Sequence, residues 1–295
     1  MRSGFVSLVG RPNAGKSTLI NSLVGYKVAI TSDKAQTTRN MIQGIYNDDD
    51  SQIVFVDTPG IHKPHDKLGQ VLNDSAYYSI DDVDVILFLI DVTKPFGKGD
   101  MFVLDKIKEA NKPTFLILNK IDKLPKQDLL KIITDYSKLY DFKEIIPISA
   151  LKKDNINDLI KTLKKYLPDS VQYYPEEILT NTSIEFRISE IVREKVFRLT
   201  NEEIPHTITC VVDSYDEKKD KAIIGVTIIV ERDSIKSIII GKQGAMLKEI
   251  GTKAREDIEK MLGKKVYLNL YVKTLKKWRD KEKYLRELGF YEIDE

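Results

Sequence analysis

The residues from Gly10 to Ser17 form a glycine-rich pattern, Gly-x-x-x-x-Gly-Lys-Ser, between the apolar run Phe5–Val9 and a helical segment. Glycines let the backbone curl so that successive amides point at phosphate oxygens, and the helix start adds a favourable dipole. Lys16 is long enough to reach β- and γ-phosphates, and the Ser17 hydroxyl can ligate magnesium. The pattern predicts a nucleotide-phosphate site made of Gly10, Arg11, Pro12, Asn13, Ala14, Gly15, Lys16, Ser17 and Thr18.

One carboxylate and two hydroxyls can complete a magnesium site beside these phosphates. Asp57 follows an apolar run, and a carboxylate at a strand end can hold the metal directly or through water. In the segment Ala35–Arg39, a threonine can join the magnesium shell while a γ-phosphate is present. Thr38 is the first choice for this role and Thr37 is the alternative. The prediction is magnesium ligation by Ser17, Thr38 and Asp57, and nucleotide contact by Asp57, Thr58, Pro59, Gly60 and Ile61.

A third motif predicts that the base is guanine. Asp122 can accept hydrogen bonds from the N1–H and the exocyclic amine of guanine, an edge that adenine lacks. Asn119 can brace the surrounding loops, the stem of Lys120 can lie against the base, and the Ala150 amide can meet the guanine carbonyl. These roles oppose the alternative of a metabolic P-loop kinase. The guanine set is Asn119, Lys120, Asp122, Ser149, Ala150 and Leu151.

Short apolar runs alternate with helical segments through the first half, and the motifs follow the runs. The runs are Phe5–Val9, Ile53–Val56, Val85–Ile90, Thr114–Leu118 and Ile145–Ile148, with helices such as Lys16–Val24 and Val103–Ala110 between them. This alternation predicts an α/β fold with a mainly parallel sheet and its chemistry at the carboxyl ends of the strands. In order and spacing the motifs resemble the G domain of the translation-factor-related P-loop GTPases.

Two prolines indicate where this domain ends. Leu167-Pro168 stops a helical segment, and the stretch up to Pro175 has no helical period. We therefore expect one domain over residues 1–171 and a second over residues 172–295.

The resemblance brings out one departure and one addition. Ile61 stands where Ras-like GTPases place the glutamine that orients the attacking water, and a hydrocarbon side chain cannot do this. Asn13 occupies the position that several cation-activated GTPases use to hold potassium. Our hypothesis is that potassium supplies positive charge in the transition state, with Arg11 and Arg39 as rival sources. The predicted catalytic set is Lys16, Thr38, Gly60 and Asn13, with His62 and His65 as loop residues.

The second half predicts an α-β-β-α-α-β order with Gly241-Lys242-Gln243-Gly244 between two helices. This arrangement resembles the type II KH domain, in which such a loop clamps about four single-stranded nucleotides. Of Ile238, Ile239 and Ile240, at least two are expected in the core. The predicted RNA-binding residues are Ile240, Gly241, Lys242, Gln243, Gly244, Lys236 and Lys248, with Lys253 as a further phosphate attractor.

Composition adds a local charge excess. The net charge is only +2, but Ile235–Arg286 contains fifteen Lys or Arg against six Asp or Glu. A basic helix is expected from Lys273 to near Gly289, with Leu275, Trp278, Leu285 and Leu288 on one face. Packing against the preceding domain is favoured for it, and RNA or membrane-surface contact are the alternatives. We expect Cys210 to be buried, and we expect no transmembrane helix and no signal peptide.

One G domain followed by one type II KH domain resembles the Era family of bacterial ribosome-assembly GTPases. The resemblance implies GTP, GDP and Mg²⁺ as ligands, with K⁺ as a further cation. It also implies binding near the 3′ end of small-subunit rRNA by a cytoplasmic monomer that matures the small ribosomal subunit and makes peripheral contact with the membrane. Gln243 departs from the lysine that is commoner in the family loop. The alternative is a signalling GTPase held to anionic lipid by its basic C-terminal region.

Overall fold

The chain forms two compact units, and the main boundary between them lies between Asn181 and Thr182. The computed structural model describes residues 1–31, 37–64, 66–200 and 204–291. The division lies C-terminal to the boundary at residue 171 that the prolines predict, because residues 172–181 pair with the first unit.

The first unit contains a six-stranded sheet in the order β2-β3-β1-β4-β5-β6, in which every pairing is parallel except that of β2 with β3. Its strands are β1 (Arg2–Gly10), β2 (Ile42–Asp48), β3 (Ser51–Asp57), β4 (Val85–Asp91), β5 (Thr114–Asn119) and β6 (Glu144–Ile148). Its helices are α1 (Lys16–Val24), α2 (Lys67–Asp81), α3 (Lys98–Ala110), α4 (Lys126–Tyr136) and α5 (Ile156–Lys164). The predicted α/β class with a mainly parallel sheet is confirmed.

Burial explains which strands the sequence reveals. Strands β1, β3, β4 and β5 are almost wholly buried, so they appear as continuous apolar runs. The edge strand β2 is only partly buried and contains Gln43, Gly44 and Asn47, and the apolar runs therefore missed it. Gly44 is required there, because a Cβ would lie 2.8 Å from side-chain carbons of Ile20 and Val24 in helix α1.

The segment 172–181 covers the open edge of β2. The Ile45 amide donates to the Leu179 carbonyl over 3.0 Å, and Gly44 bridges Thr180. Deeper in the sheet, the buried side chain of Gln52 accepts from the amides of two consecutive tyrosines and donates to a carbonyl of the second. An edge strand left bare is a site for unwanted pairing, and this segment protects it.

The second unit confirms the predicted α-β-β-α-α-β order. It consists of α6 (Ile184–Leu199), β7 (Ile208–Glu217), β8 (Lys221–Val230), α7 (Asp233–Ile240), α8 (Ala245–Leu262) and β9 (Lys265–Thr274). Strand β8 is central, antiparallel to β7 and parallel to β9. The core lies between the helices and one sheet face, and Cys210 is buried in it as expected.

The C-terminal region corrects the predicted basic helix. Lys273 still belongs to β9, a 3₁₀ turn covers Trp278–Asp280, and the helix α9 is only Glu282–Glu287. Trp278 is fully buried, stacks on Phe290 and donates its indole N–H to the Thr207 carbonyl over 3.1 Å. Apolar packing therefore determines this region, and it interrupts the helical period. No helix within the described ranges is long and apolar enough to cross a bilayer.

A charge cluster joins the β2–β3 turn to helix α5. Lys164 pairs with Asp48 and, over 2.6 Å, with Asp50. Burial alone would raise the pKa of Asp48, but the hydrogen bonds from Lys164, Ser51 and Tyr46 outweigh it and hold that pKa well below its usual range. The ionised carboxylate therefore favours the folded state.

We expect Asp48→Asn to lower the free energy of unfolding by about 1 kcal/mol at pH 7, because amide oxygen still accepts from Ser51 but the charge is lost. This difference in the free energy of unfolding has its full size above the unfolded-state pKa of about 3.9. It shrinks as the pH falls from there toward the lower folded-state pKa. Urea unfolding from pH 7 to pH 3 measures it. Asp49→Asn, an exposed change in the same turn, is the control; an equal effect from it would contradict the prediction.

Candidate nucleotide site and nucleic-acid interface

The glycine-rich loop runs from the end of β1 into α1. Its backbone has positive φ angles and lies close to neighbouring groups. Asn13 and Gly15 have positive φ angles of 65° and 101°. A Cβ on Gly15 would lie 2.2 Å from the Asn119 amide nitrogen, and one on Gly10 would lie 2.6 Å from the Leu89 carbonyl oxygen. Only glycine fits at these two positions, so the loop is built by the glycines that the motif specifies.

Two opposite charges are buried beside this loop. Lys16 is 6% exposed and donates to the carbonyls of Gly10 and Arg11, while Asp57 is fully buried. Burial lowers the pKa of Lys16, with Asp57 opposing, and burial raises the pKa of Asp57, with Lys16 opposing. Both shifts have the same cause, since each charge has lost its water. The lysine thus favours an added anion and the carboxylate an added cation.

Three oxygen donors meet at one point beside α1. The Ser17 hydroxyl donates to Asp57 Oδ2 over 2.7 Å and lies 2.8 Å from the Thr38 hydroxyl, which itself donates to the same carboxylate oxygen over 3.1 Å. Among the side chains that the structure describes, Asp57 Oδ1 is one of four sites where a buried polar atom has no hydrogen-bond partner. Two hydroxyls and a carboxylate form an oxygen donor set that fits Mg²⁺.

The structure places the rest of the predicted magnesium-side residues as follows. Gly60 packs on the loop, since a Cβ there would lie 2.8 Å from backbone atoms of Pro12. Thr58 is buried and donates to the Leu8 carbonyl over 2.9 Å. Ile61 is 1% exposed within the hydrophobic core, so its side chain is unavailable for positioning water.

The flanking residues outside this group are placed only in part. His62 Nδ1 lies 2.8 Å from the Gly60 carbonyl oxygen, as a loop residue. His65, Ala35 and Gln36 lie outside the described residues. Within the described ranges no cluster of three or more His, Cys, Asp or Glu side chains is arranged to hold a metal ion.

Asn119 ties three loops together. Its amide nitrogen donates to the Ala14 carbonyl over 2.9 Å, and its oxygen accepts from the amides of Lys120 and Ala150. The bracing role expected from the sequence is therefore present in the geometry. The Ala150 amide is directed at Asn119, and its contact with guanine remains a prediction.

The carboxylate of Asp122, the residue predicted to read guanine, is also held from the neighbouring loop. The Ser149 hydroxyl donates to Asp122 Oδ1 over 2.6 Å. The carbonyl of Ala150 accepts from Ser22 in α1, whereas Leu151 is 69% exposed. The two segments expected to surround guanine, 119–122 and 149–151, thus lie together at one end of the sheet.

Sequence reasoning missed two carboxylates that position site residues. Asp91, at the end of β4, pairs with Lys120 over 2.6 Å, and the same ammonium donates to the Asn13 carbonyl. Asp100, in the first turn of α3, pairs with Arg11 over 3.1 Å. The position of Asp91 at the carboxyl end of a buried strand was the available signal.

Arg11 and Arg39 are the two side chains that could supply transition-state charge in place of potassium, and Arg11 is paired with Asp100. Arg39, the other, is 3% exposed. Neither arrangement tests the potassium hypothesis.

The Gly-Lys-Gln-Gly loop joins α7 to α8 through a sharp turn. Gly241, Gln243 and Gly244 have positive φ angles of 71°, 53° and 80°. A Cβ on Gly241 would lie 2.7 Å from that of Met246, so this glycine is needed for the close helix approach. Lys242 and Gln243 are exposed at the tip.

The isoleucines before the loop correct one expectation. Only Ile239 enters the core, while Ile238 is 49% exposed and Ile240 is half-buried. Helix α7 has only eight residues, and it is anchored through Ile239 in the core and Ile235 packed against it. Lys248 and Lys253 are exposed and Lys236 is half-buried, which leaves the loop flanked by apolar surface and ammonium groups.

The fold and both sites define a P-loop GTPase domain followed by a KH domain. Residues 5–120 match the family model of the 50S ribosome-binding GTPases, and residues 203–279 match that of the KH domain. Among solved structures, Era in complex with MgGDPNP and nucleotides 1506–1542 of 16S ribosomal RNA is 42% identical. A tyrosine-to-alanine variant of Aquifex aeolicus Era, bound to GDP and AlF₄⁻, is also 42% identical. Each covers 99% of this chain and is itself 100% covered, at a TM-score of 0.96. The chain belongs to the Era family.

We expect Thr38→Val to weaken binding of a magnesium-loaded, non-hydrolysable GTP analogue roughly 10-fold to 100-fold, because one metal-side oxygen is removed. Binding of GDP should change by less than about twofold, since this threonine acts only when a γ-phosphate is present. Fluorescent-nucleotide titration measures both affinities. Thr37→Val is the matched control, and a larger loss from that variant would reverse the assignment.

Proposed function

We propose that this chain is a GTPase that hydrolyses GTP to GDP and phosphate and binds small-subunit ribosomal RNA near its 3′ end during subunit maturation. The observation that carries the proposal is the presence of both sites in a chain whose full length matches an Era structure holding MgGDPNP and 16S ribosomal RNA. The alternative, a membrane-held signalling GTPase, leaves the KH loop without a role.

At the nucleotide site, we assign the phosphates to the backbone amides of Gly10–Thr18 and to Lys16. Ser17, Thr38 and Asp57 hold magnesium, which supplies positive charge to the β- and γ-phosphates. Asp122 reads guanine. Because Ile61 lies in the core, the attacking water must be oriented by backbone groups such as the Gly60 amide, or by a partner.

At the nucleic-acid site, the Gly241–Gly244 loop brings the backbone close to a single strand of about four nucleotides. Lys242 and Lys248 attract phosphate from exposed positions, and Lys236 does so from a half-buried one. Ile240 supplies apolar surface for a base. Gln243 replaces a second positive charge, so we expect affinity rather than binding mode to differ from relatives with lysine there.

Communication between the sites can run through the segment 172–181. This segment pairs with β2, and β2 begins four residues after Thr38, at Ile42. Ordering of Thr38 by a γ-phosphate would therefore act on β2 and on the segment that continues into the second unit. Gln52 holds that segment with three hydrogen bonds at 2.7, 2.8 and 2.9 Å.

We propose a cytoplasmic location and a monomeric state. Any membrane contact would be peripheral. The apolar side chains that the alternative of membrane-surface contact would use include Trp278 and Leu285, and both are fully buried in the fold. That burial favours packing over lipid contact as their role.

We expect the full chain to bind an oligonucleotide from the 3′ end of small-subunit rRNA roughly tenfold more tightly with a GTP analogue than with GDP. Fluorescence anisotropy at fixed salt measures both affinities. Lys242→Asp with Gln243→Asp should weaken binding of this oligonucleotide roughly tenfold or more and leave nucleotide affinity intact, since aspartate tolerates the positive φ of residue 243 but repels phosphate.

Two further variants make this test specific. Lys260→Asp, at the far end of α8, makes the same change of sign away from the loop and should leave most RNA affinity. Gln52→Leu removes the hydrogen bonds that hold the segment 172–181 and should shrink the difference between the two nucleotide states. Equal RNA affinity with the GTP analogue and GDP in the unmodified chain would contradict the coupling, and flotation with anionic vesicles in place of RNA binding would favour the alternative.

We expect GTP turnover to be roughly tenfold or more faster in potassium than in sodium, because the cation held near Asn13 stabilises negative charge in the transition state. Asn13→Gly should remove the difference without straining the loop, since glycine readily adopts the φ of 65° found there. Phosphate release under matched ionic strength measures both rates. Equal turnover in the two salts would rule potassium out.

A further inference from the structure

The sheet of the second unit has a face that its helices do not cover. Along β9 the residues alternate between this open face and the core, and Leu268, Leu270 and Val272 pack inward. Tyr267 and Tyr271 occupy the open face and are each 60% exposed. Among the described residues of this unit they are the two most exposed large hydrophobic side chains.

Lysines accompany the two tyrosines. Lys265 and Lys273, the next residues but one on either side of the pair, are exposed on the same face of β9. Lys221 lies opposite Lys265 on β8, and its ammonium is 5.4 Å from the centre of the Tyr267 ring. Aromatic rings interleaved with positive charge are the combination with which proteins hold single-stranded nucleic acid.

The register of the sheet defines a track along β9. The carboxylates of this face belong to β7, where Asp216 pairs in register with Ile223 and Asp213 accepts from Thr227. The lysines lie on the opposite side, at β9 and the start of β8. A polyanion is therefore attracted to the β9 edge and repelled from the β7 edge.

The spacing of the rings indicates what the track accepts. Four residues along a strand span about 13 Å, far more than the roughly 3.4 Å between stacked neighbouring bases. The two rings would therefore stack on bases that are not neighbours, with Asn269 between them able to hydrogen-bond an intervening base. A duplex hides its base faces, so only a splayed single strand can use both rings.

We propose that this open face, formed by Lys221, Lys265, Tyr267, Asn269, Tyr271 and Lys273, is a second single-stranded RNA-binding surface, separate from the Gly241–Gly244 loop. It extends the proposed function, because it lets the chain hold a longer stretch of RNA than the loop can clamp. The bases are held by stacking and the backbone by lysines, so the surface tolerates many sequences.

The test uses the full chain with its loop disabled by Lys242→Asp and Gln243→Asp, and a dodecauridine probe containing 4-thiouridine. Ultraviolet crosslinking with mass spectrometry should locate the uridine on Tyr267 and Tyr271. In anisotropy, alanine at each tyrosine should weaken binding about fivefold to a hundredfold, and phenylalanine should preserve it because the ring is kept. Tyr78→Ala, an exposed tyrosine on α2, is the matched control.

Several results would overturn the proposal. They are no measurable binding to the loop-disabled chain at millimolar probe, unchanged affinity after both alanine changes, and leucine serving as well as phenylalanine. Loss of a dimer on Tyr267→Ala, seen by sedimentation, would assign the face to a second copy of the chain instead. Failure of the unmodified chain to bind rRNA would count against the proposed function, whereas the loop-disabled arm tests the sheet face alone.

Discussion

The nucleotide site depends on two opposite charges buried at the carboxyl end of a parallel sheet. Lys16 and Asp57 are both shielded from water. Burial lowers the pKa of Lys16 and raises that of Asp57, which favours the neutral form of each. Such a pair is costly to keep in a core unless further charges complete it. A triphosphate with magnesium brings negative charge to Lys16 and positive charge to Asp57. The two buried charges therefore favour binding of that ligand. The two hydroxyls that donate to Asp57 complete the set of oxygen ligands proposed for that metal.

Around this pair, polar side chains hold the loops in place of regular secondary structure. Asn119 joins the phosphate loop to both guanine-side loops, and Asp91 fixes Lys120 against the phosphate loop. These groups are largely buried and hydrogen-bonded, so each loop has a fixed partner on a neighbouring loop. The position next to Gly60 is different, because Ile61 belongs to the core. The chemistry that a side chain performs there in Ras-like GTPases must come from elsewhere.

The second unit uses its sheet in two ways. One face and three helices enclose the core, and the helix junction at Gly241 forms the predicted RNA loop. The other face carries tyrosines and lysines that the core does not need. Successive side chains of a strand point to opposite faces, so the residues of β9 alternate between the core and the surface. The proposed loop clamp and the proposed sheet surface would complement each other, since the loop is suited to the backbone and the tyrosines add stacking on bases.

The sequence alone determined the fold class, the order of both domains and the chemistry of the glycine-rich, Asp57 and Asn119–Asp122 motifs. Those features are local: buried strands are apolar runs, and the glycines stand where only glycine fits. Tertiary structure alone decided the rest. It revealed edge strand β2, whose polar residues hide it, and it reduced the C-terminal helix to six residues by burying Trp278. It also brought Asp91 to Lys120 and Gln52 to the segment 172–181. Contacts between residues distant in sequence leave no period or spacing, because they exist only once the sheet has formed.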